Sequence, residues 1–412
     1  MNPYLILILG ILMGAYLLDA VVAVLNARHA KPDLPEEFVG YYPADRYRRS
    51  QEYLKENTRF KIISNTVFSA LVIAFILLGG FQVVDQFARG FELGPVLTGL
   101  IFAGAILLVA QLVQIPFSIY DTFVIEERYG FNRTTPKTFF LDILKVWALV
   151  AVIGGVAFSV VLWVFQVGGS WAWAYCWAAV TLFQILITFV APVVILPLFN
   201  KFTPLESGSL RQAIQDYAGS QDFKQKGIFT MDGSRRSAKT NAFFTGFGRF
   251  RRIVLFDTLM ERHAADEIVA ILAHEMGHHK NRHILKSTFL SILTTGLMFF
   301  FLSFFINNQG LFSAFRMEET SIYASLFFFG FLYAPMDMVL SVFGNALSRR
   351  HEYQADAYVV RTYERPQSLI RALKKLSVEN LVNLTPHPLT VFLTFSHPPV
   401  LERIKAIEKQ DK

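Results

Sequence analysis

Cysteine is nearly absent: of 412 residues, only Cys176 carries a thiol. No internal disulfide can form, and no cysteine-based metal site can be built. Lying within an apolar run, Cys176 reads as a small buried hydrophobe. Charge is scarce as well. Charged residues make up 17% of the chain, where ordinary soluble domains carry about a quarter. This excludes a disordered chain and a coiled coil, and leaves too few polar side chains to cover a soluble globule of this size. The chain also lacks internal repeats and low-complexity segments, so solenoids and linker-rich architectures drop out.

What the chain has in abundance is apolar: 53% hydrophobic residues, with 41 Phe and 15 Tyr. Seven runs approach or exceed the roughly 20 residues needed to cross a bilayer. They lie near residues 3–25, 64–84, 93–119, 143–165, 171–190, 287–306 and 323–343. The first lacks a basic leading stretch and a small-residue cleavage site, so it reads as a retained span rather than a signal peptide. The expected fold class is an all-α polytopic membrane protein with about seven transmembrane helices. Four regions follow: five spans in 1–198, a polar region in 199–286, two spans in 287–345 and a polar C-terminal region in 346–412.

Thirty-nine Lys and Arg against 32 Asp and Glu leave a net charge of +7. The basic residues gather in alternate loops. Arg28, Lys31, Arg46, Arg48, Arg49, Lys55, Arg59 and Lys61 lie in the first, and Arg128, Arg133 and Lys137 in the third. The fifth loop is rich in Lys and Arg, and Arg349 and Arg350 open the C-terminal region. The second and sixth loops carry only Arg89 and Arg316. The positive-inside rule then places the N-terminus outside and both polar regions in the cytoplasm. Membrane orientation accounts for the basicity, and a nucleic-acid partner is not expected.

Within 199–286, the stretches "NAFFTGFG" and "RIVLFDT" are β-rich and joined by Gly246, Gly248, Arg249, Arg251 and Arg252, which predicts a small hairpin. A helix follows from about Ala264, with Asp266 and Glu267 in its first turn. It contains His274-Glu275-Met276-Gly277-His278. Residues four apart share a helix face, so both imidazoles can reach one metal ion. Glu275 lies about 100° further round, where it can take a proton from a water without binding the metal. Chance would place HExxH in about one such chain in a hundred. His279 and His283 point off the ligand face or lie one turn beyond it, and read as surface or interfacial residues.

A hydrolytic zinc site needs a third protein ligand and an open position. After the seventh run the chain reads "SRRHEYQADAYVV", where Glu352 and Asp356 share a helix face. Glu352 is the candidate third ligand, giving His2Glu. Asp356 is then placed to accept the free N–H of a ligand imidazole, that of His274. The same spacing equally describes a helix with ordinary solvated charges, and His351 competes as a ligand. Asp337 lies within the seventh run. It is expected to line an aqueous cavity; the other reading is a protonated or paired structural group.

These segments together resemble the CAAX prenyl protease type 1 family of multi-span membrane zinc metalloproteases. "SRRHEYQAD" resembles its third-ligand segment. "SNTVFS" and "VIEERYGFNRTTPKTFFLD" resemble the segments around the second to fourth spans, and "PLFNKFTPL" the exit from the fifth. "TNAFFTGFGRFRRIVLFDTL" resembles the substrate-side hairpin, and "SHPPVLERI" the C-terminal motif, with Ser396 where the family usually has Thr. The resemblance covers nearly the whole chain. It implies seven tilted helices around a large chamber, one zinc ion per chain at its cytoplasmic end, and peptide or protein substrates, prenylated proteins among them. It further implies that Asn241 binds substrate main chain and that His397 and Arg403 stabilise an oxyanion. Two other readings stay open. One is a bacterial quality-control metalloprotease with no prenyl requirement. The other is a transporter or scaffold with a structural metal, which would need four protein ligands and no general base.

Overall fold

The computed structural model describes residues 2–245 and 252–411. The expected hairpin tip, with Gly246, Gly248, Arg249 and Arg251, lies outside the described residues. Seven helices are long and apolar enough to cross a membrane: Pro3–His29, Ala44–Leu77, Pro95–Glu126, Pro136–Val167, Gly169–Phe199, His283–Ser303 and Ile322–Thr362. Several begin where local chemistry starts a helix. Asn2 and Thr135 cap spans whose first residue is proline, and Ser321 caps the seventh.

Two spans differ from the sequence reading. The second starts about twenty residues earlier, because the polar stretch from Ala44 continues the same helix. It stops at Leu77, since Gly79 takes a left-handed conformation (φ 76°), and Gly80–Arg89 forms a separate helix. The seventh does not end near residue 343. It runs unbroken from Ile322 to Thr362, past the 345/346 division, as one helix of 41 residues and about 60 Å.

The spans form a closed ring in which each packs on the next and the seventh returns to the first. In the most apolar stretch of each span, between 0% and 22% of residues are buried. A solid bundle would bury far more. Thin walls with a chamber inside and lipid outside account for such low burial.

Both ends of the ring are packed. At one end, Phe81, Phe102, Phe312, Phe315 and Phe328 form an apolar plug. Phe315 and Phe328 stack with centroids 3.8 Å apart, and Phe81 meets both edge-on. Gly99 allows the close approach of three spans here: a Cβ would stand 2.6 Å from Leu162 Cδ1 and 2.9 Å from Tyr323 Cβ. Buried Asp85 accepts from Tyr323 (2.5 Å) and pairs with Arg89 (2.7 Å).

At the other end sits a second core and a small sheet. Strands β1 (Phe202–Pro204), β2 (Gly227–Met231), β3 (Ala242–Thr245) and β4 (Arg252–Phe256) lie in the order β1-β2-β4-β3. β3 and β4 pair antiparallel, with Ala242 opposite Leu255, as the hairpin reading requires. β2 joins β4 in parallel, an addition the sequence did not signal because β1 and β2 are three and five residues long. Among the described residues β3 has a partner on one side only. The third and fourth spans are tied to this end by Lys239 on Glu126 (2.9 Å) and Arg236 on Asp142 (2.8 Å).

Truncating Phe328, which is fully buried, to Ala should destabilise the plug end by about 3–5 kcal/mol. Thermal unfolding of the detergent-solubilised protein should show a lowered midpoint, with the metal content of the folded protein unchanged.

Candidate metal centre

The helix Ala265–Lys280 carries the HExxH residues through the second core, and Ile268 to Ala273 are all buried. Its first turn is held from outside. Glu267 accepts from the Ala264 backbone N–H (3.1 Å) and from Lys375 (2.8 Å), and Asp266 accepts from Ser368 (2.7 Å). Both partners stand on the helix Pro366–Glu379.

This helix crosses the seventh-span helix with almost no gap. A Cβ on Gly277 would stand 2.9 Å from Ala355 Cα and 3.0 Å from Tyr358 Cβ. Ala355 lies between Glu352 and Asp356, so the crossing delivers both carboxylates to the HExxH face. Glu352 Oε2 is 3.4 Å from His274 Nε2, and Glu352 Oε1 is 3.2 Å from His278 Nε2. The two Nε2 atoms are 3.1 Å apart. Asp356 Oδ1 lies 2.8 Å from His274 Nδ1, on the far side of that ring.

The donor set fits a zinc ion. Ligands about 2.1 Å from one tetrahedral centre stand about 3.4 Å apart, and the two nitrogens and one Glu352 oxygen lie within 4.8 Å of one another, near enough to close on one ion. Two imidazole nitrogens facing one another at 3.1 Å are satisfied by one shared proton or by a cation between them. Burial alone would lower the His274 pKa, but hydrogen bonds with Asp356 and Glu352 outweigh it and push it up to about 9. Glu352 Oε2 is buried with no donor in hydrogen-bonding geometry. Two nitrogens and a carboxylate oxygen are a common zinc donor set.

The remaining sequence candidates gather around a cavity of about 760 Å³ lined by Glu275, Asn241, His397 and Arg403 together with the three donor residues. Burial raises the pKa of Glu275, so its carboxylate holds a proton more readily than a solvated one. Asn241 leads directly into β3, and Ala242 and Phe243 also line the cavity. His397 is 65% exposed, with Nε2 3.4 Å from Glu352. Arg403 is buried and grips Asp356 with two bonds of 2.8 and 2.7 Å; its Nη1 is 3.3 Å from Glu352. Most of its donors are committed, which leaves His397 the freer donor toward the cavity.

Asp337 borders a smaller cavity of about 360 Å³ between the sixth and seventh spans, with Ser291, Thr294, Thr295 and Ser341. Ser287 lines both this cavity and the larger one. Ser287 thus joins the cavity beside Asp337 to the one at the metal centre, and the lining of the smaller cavity is mixed, with Leu290, Met298 and Leu340 among the polar groups.

One residue was misread from sequence. His283 is buried, not peripheral, and its Nδ1 lies 3.0 Å from His278 Nδ1. Arg282 takes a left-handed conformation (φ 56°), which folds the sixth span back onto the HExxH helix. A left-handed Arg carries no sequence signal, so helical spacing alone put His283 out of reach.

Comparison with known proteins shows the family and the fold. Residues 23–201 match the CAAX prenyl protease N-terminal region of five membrane helices. Residues 204–411 match peptidase family M48. The chain belongs to family M48. It is 33% identical to an Arabidopsis thaliana CAAX prenyl protease 1 homolog, over 100% of this chain and 99% of the relative. It is 33% identical to the Saccharomyces cerevisiae CAAX prenyl protease 1, over 88% and 85%. The crystal structure of S. mikatae Ste24p matches with a TM-score of 0.94 at 31% identity, over 99% of this chain and 100% of that one. The M48 chain is thus an integral, multi-pass membrane metalloprotease whose spans wall a chamber, and it acts on peptide or protein substrates.

Gly277→Ala should force the two donor-bearing helices apart, since the contact is with backbone that cannot rotate away. A stability loss of about 1–3 kcal/mol is expected, together with weaker metal retention on dialysis against a chelator.

Proposed function

We propose that the chain is a zinc endopeptidase that cuts near the C-terminus of prenylated proteins, from the cytoplasmic side of its membrane. The alternation of loops rich and poor in basic residues supports the orientation. The relatives named CAAX prenyl protease 1 support the substrate class. The observation that carries the chemistry is the convergence of His274, His278 and Glu352 within 4.8 Å, beside Glu275 and an edge strand.

In this reading His274, His278 and Glu352 hold one Zn²⁺. When bound, the ion supplies Lewis acidity, making water more acidic and polarising a carbonyl. The substrate adds as a strand to β3, with Asn241 fixing its main chain. Glu275 takes a proton from the attacking water and passes it to the leaving amine. His397 donates to the carbonyl oxygen as negative charge builds there, and Arg403 adds its charge from behind. Asp356, held by Arg403, accepts the His274 Nδ1–H and so keeps Nε2 free to bind metal. The catalytic unit is split between residues 199–286 and 346–412, and the last two spans connect its halves.

Glu275→Ala should lower cleavage of a fluorogenic prenylated peptide by about 10²–10⁴-fold, with zinc content staying near that of the unmutated protein. Retained cleavage would remove Glu275 from its role. Equal cleavage of the same peptide without its lipid would favour prenyl-independent turnover of membrane proteins.

A further inference from the structure

We infer that His283 and Gln354 form a neutral hydrogen-bond relay that holds His278 in its metal-binding tautomer. The inference rests on the reading of His278 as a ligand. An imidazole that binds a metal through Nε2 carries its proton on Nδ1 and needs an acceptor there. For His274 that acceptor is the Asp356 carboxylate, 2.8 Å away. His278 faces no carboxylate on that side. Its Nδ1 meets the Nδ1 of His283 at 3.0 Å, and His283 Nε2 meets Gln354 Oε1 at 2.9 Å.

Two facing nitrogens satisfy one another only if one donates and the other accepts. With His278 donating, His283 Nδ1 accepts, its proton sits on Nε2, and that proton goes to Gln354 Oε1. Every group is satisfied. The opposite polarity needs a flipped Gln354 amide and leaves the His278 proton on Nε2, where it would block metal binding. Polarity along the relay therefore decides whether His278 can act as a ligand.

The relay is rigid. His283 is buried, and its ring stacks on His351 with centroids 3.9 Å apart and planes 9° apart. Gln354 is two residues from Glu352 on the seventh-span helix. His283 is the first residue of the sixth span. The relay thus ties three helices together behind the second ligand. His283 and Gln354 are positioning residues in this scheme, acting on the reaction only through His278.

Zinc affinity of the full-length protein in detergent, measured by competition with a chromophoric chelator, tests this without reference to turnover. His283→Leu should weaken binding by about 10–100-fold, the range for losing a group that orients a metal ligand. His283→Asn keeps an acceptor near the Nδ1 position and should retain most of the affinity. Gln354→Leu should weaken binding in the same direction, and stands in if His283→Leu does not fold. Undiminished affinity in His283→Leu, or in Gln354→Leu in its place, overturns the relay. So does His283→Asn binding as weakly as His283→Leu, because packing alone would then explain the loss. His278→Ala separates the premise from the inference: zinc bound at full affinity without that imidazole would refute the ligand reading itself.

Discussion

A single helix crossing organises this protein. Where the HExxH helix meets the seventh-span helix, Gly277 removes the side chain that would keep them apart, and Ala355 fills the contact. Two carboxylates one turn apart then flank that contact and face the imidazoles. The distance in sequence between His278 and Glu352 is taken up by two complete membrane spans. The candidate metal centre is therefore also the joint between the membrane ring and its polar cap.

Charge at this joint is balanced by pairing rather than by solvent. Glu352 and Asp356 are both buried, and a buried carboxylate is tolerable only beside a compensating charge. Arg403 supplies one such charge, bound to Asp356 through two bonds. A divalent ion between the imidazoles and Glu352 would supply the rest. On the proposed ligand reading, His274 and His278 are supported unequally, the first by the Asp356 carboxylate and the second by the His283 imidazole. That asymmetry lets the site hold its ligands in place while limiting the negative charge crowded around them.

The membrane part answers a different constraint. Its helices must satisfy lipid on one side and a chamber on the other, so they cannot pack as a solid core. The ring is stabilised at its ends instead, by a phenylalanine plug at one and the metalloprotease core at the other. Hydrophobic residues at 53% of the chain are what a wall with two faces demands.

Much of this could be read from sequence because periodicity and composition report local structure. Seven apolar runs gave the span count, and i, i+4 spacing gave the shared face of His274 and His278. The seventh span and the helix carrying Glu352 and Asp356 were read apart, because a hydropathy window ends where the polar continuation begins, although the two are one helix. The place of His283 depends on a left-handed Arg282, and that of β1 and β2 on partners far along the chain; neither leaves a local pattern. The roles assigned to the site residues rest on geometry that a bound ion would fix directly. An anomalous-scattering map at the zinc absorption edge, from crystals of the full-length protein, is the most direct measurement. One peak is expected, about 2.0–2.2 Å from His274 Nε2, His278 Nε2 and an oxygen of Glu352, with a position free of protein. A peak elsewhere, or one enclosed by four side chains, would contradict it.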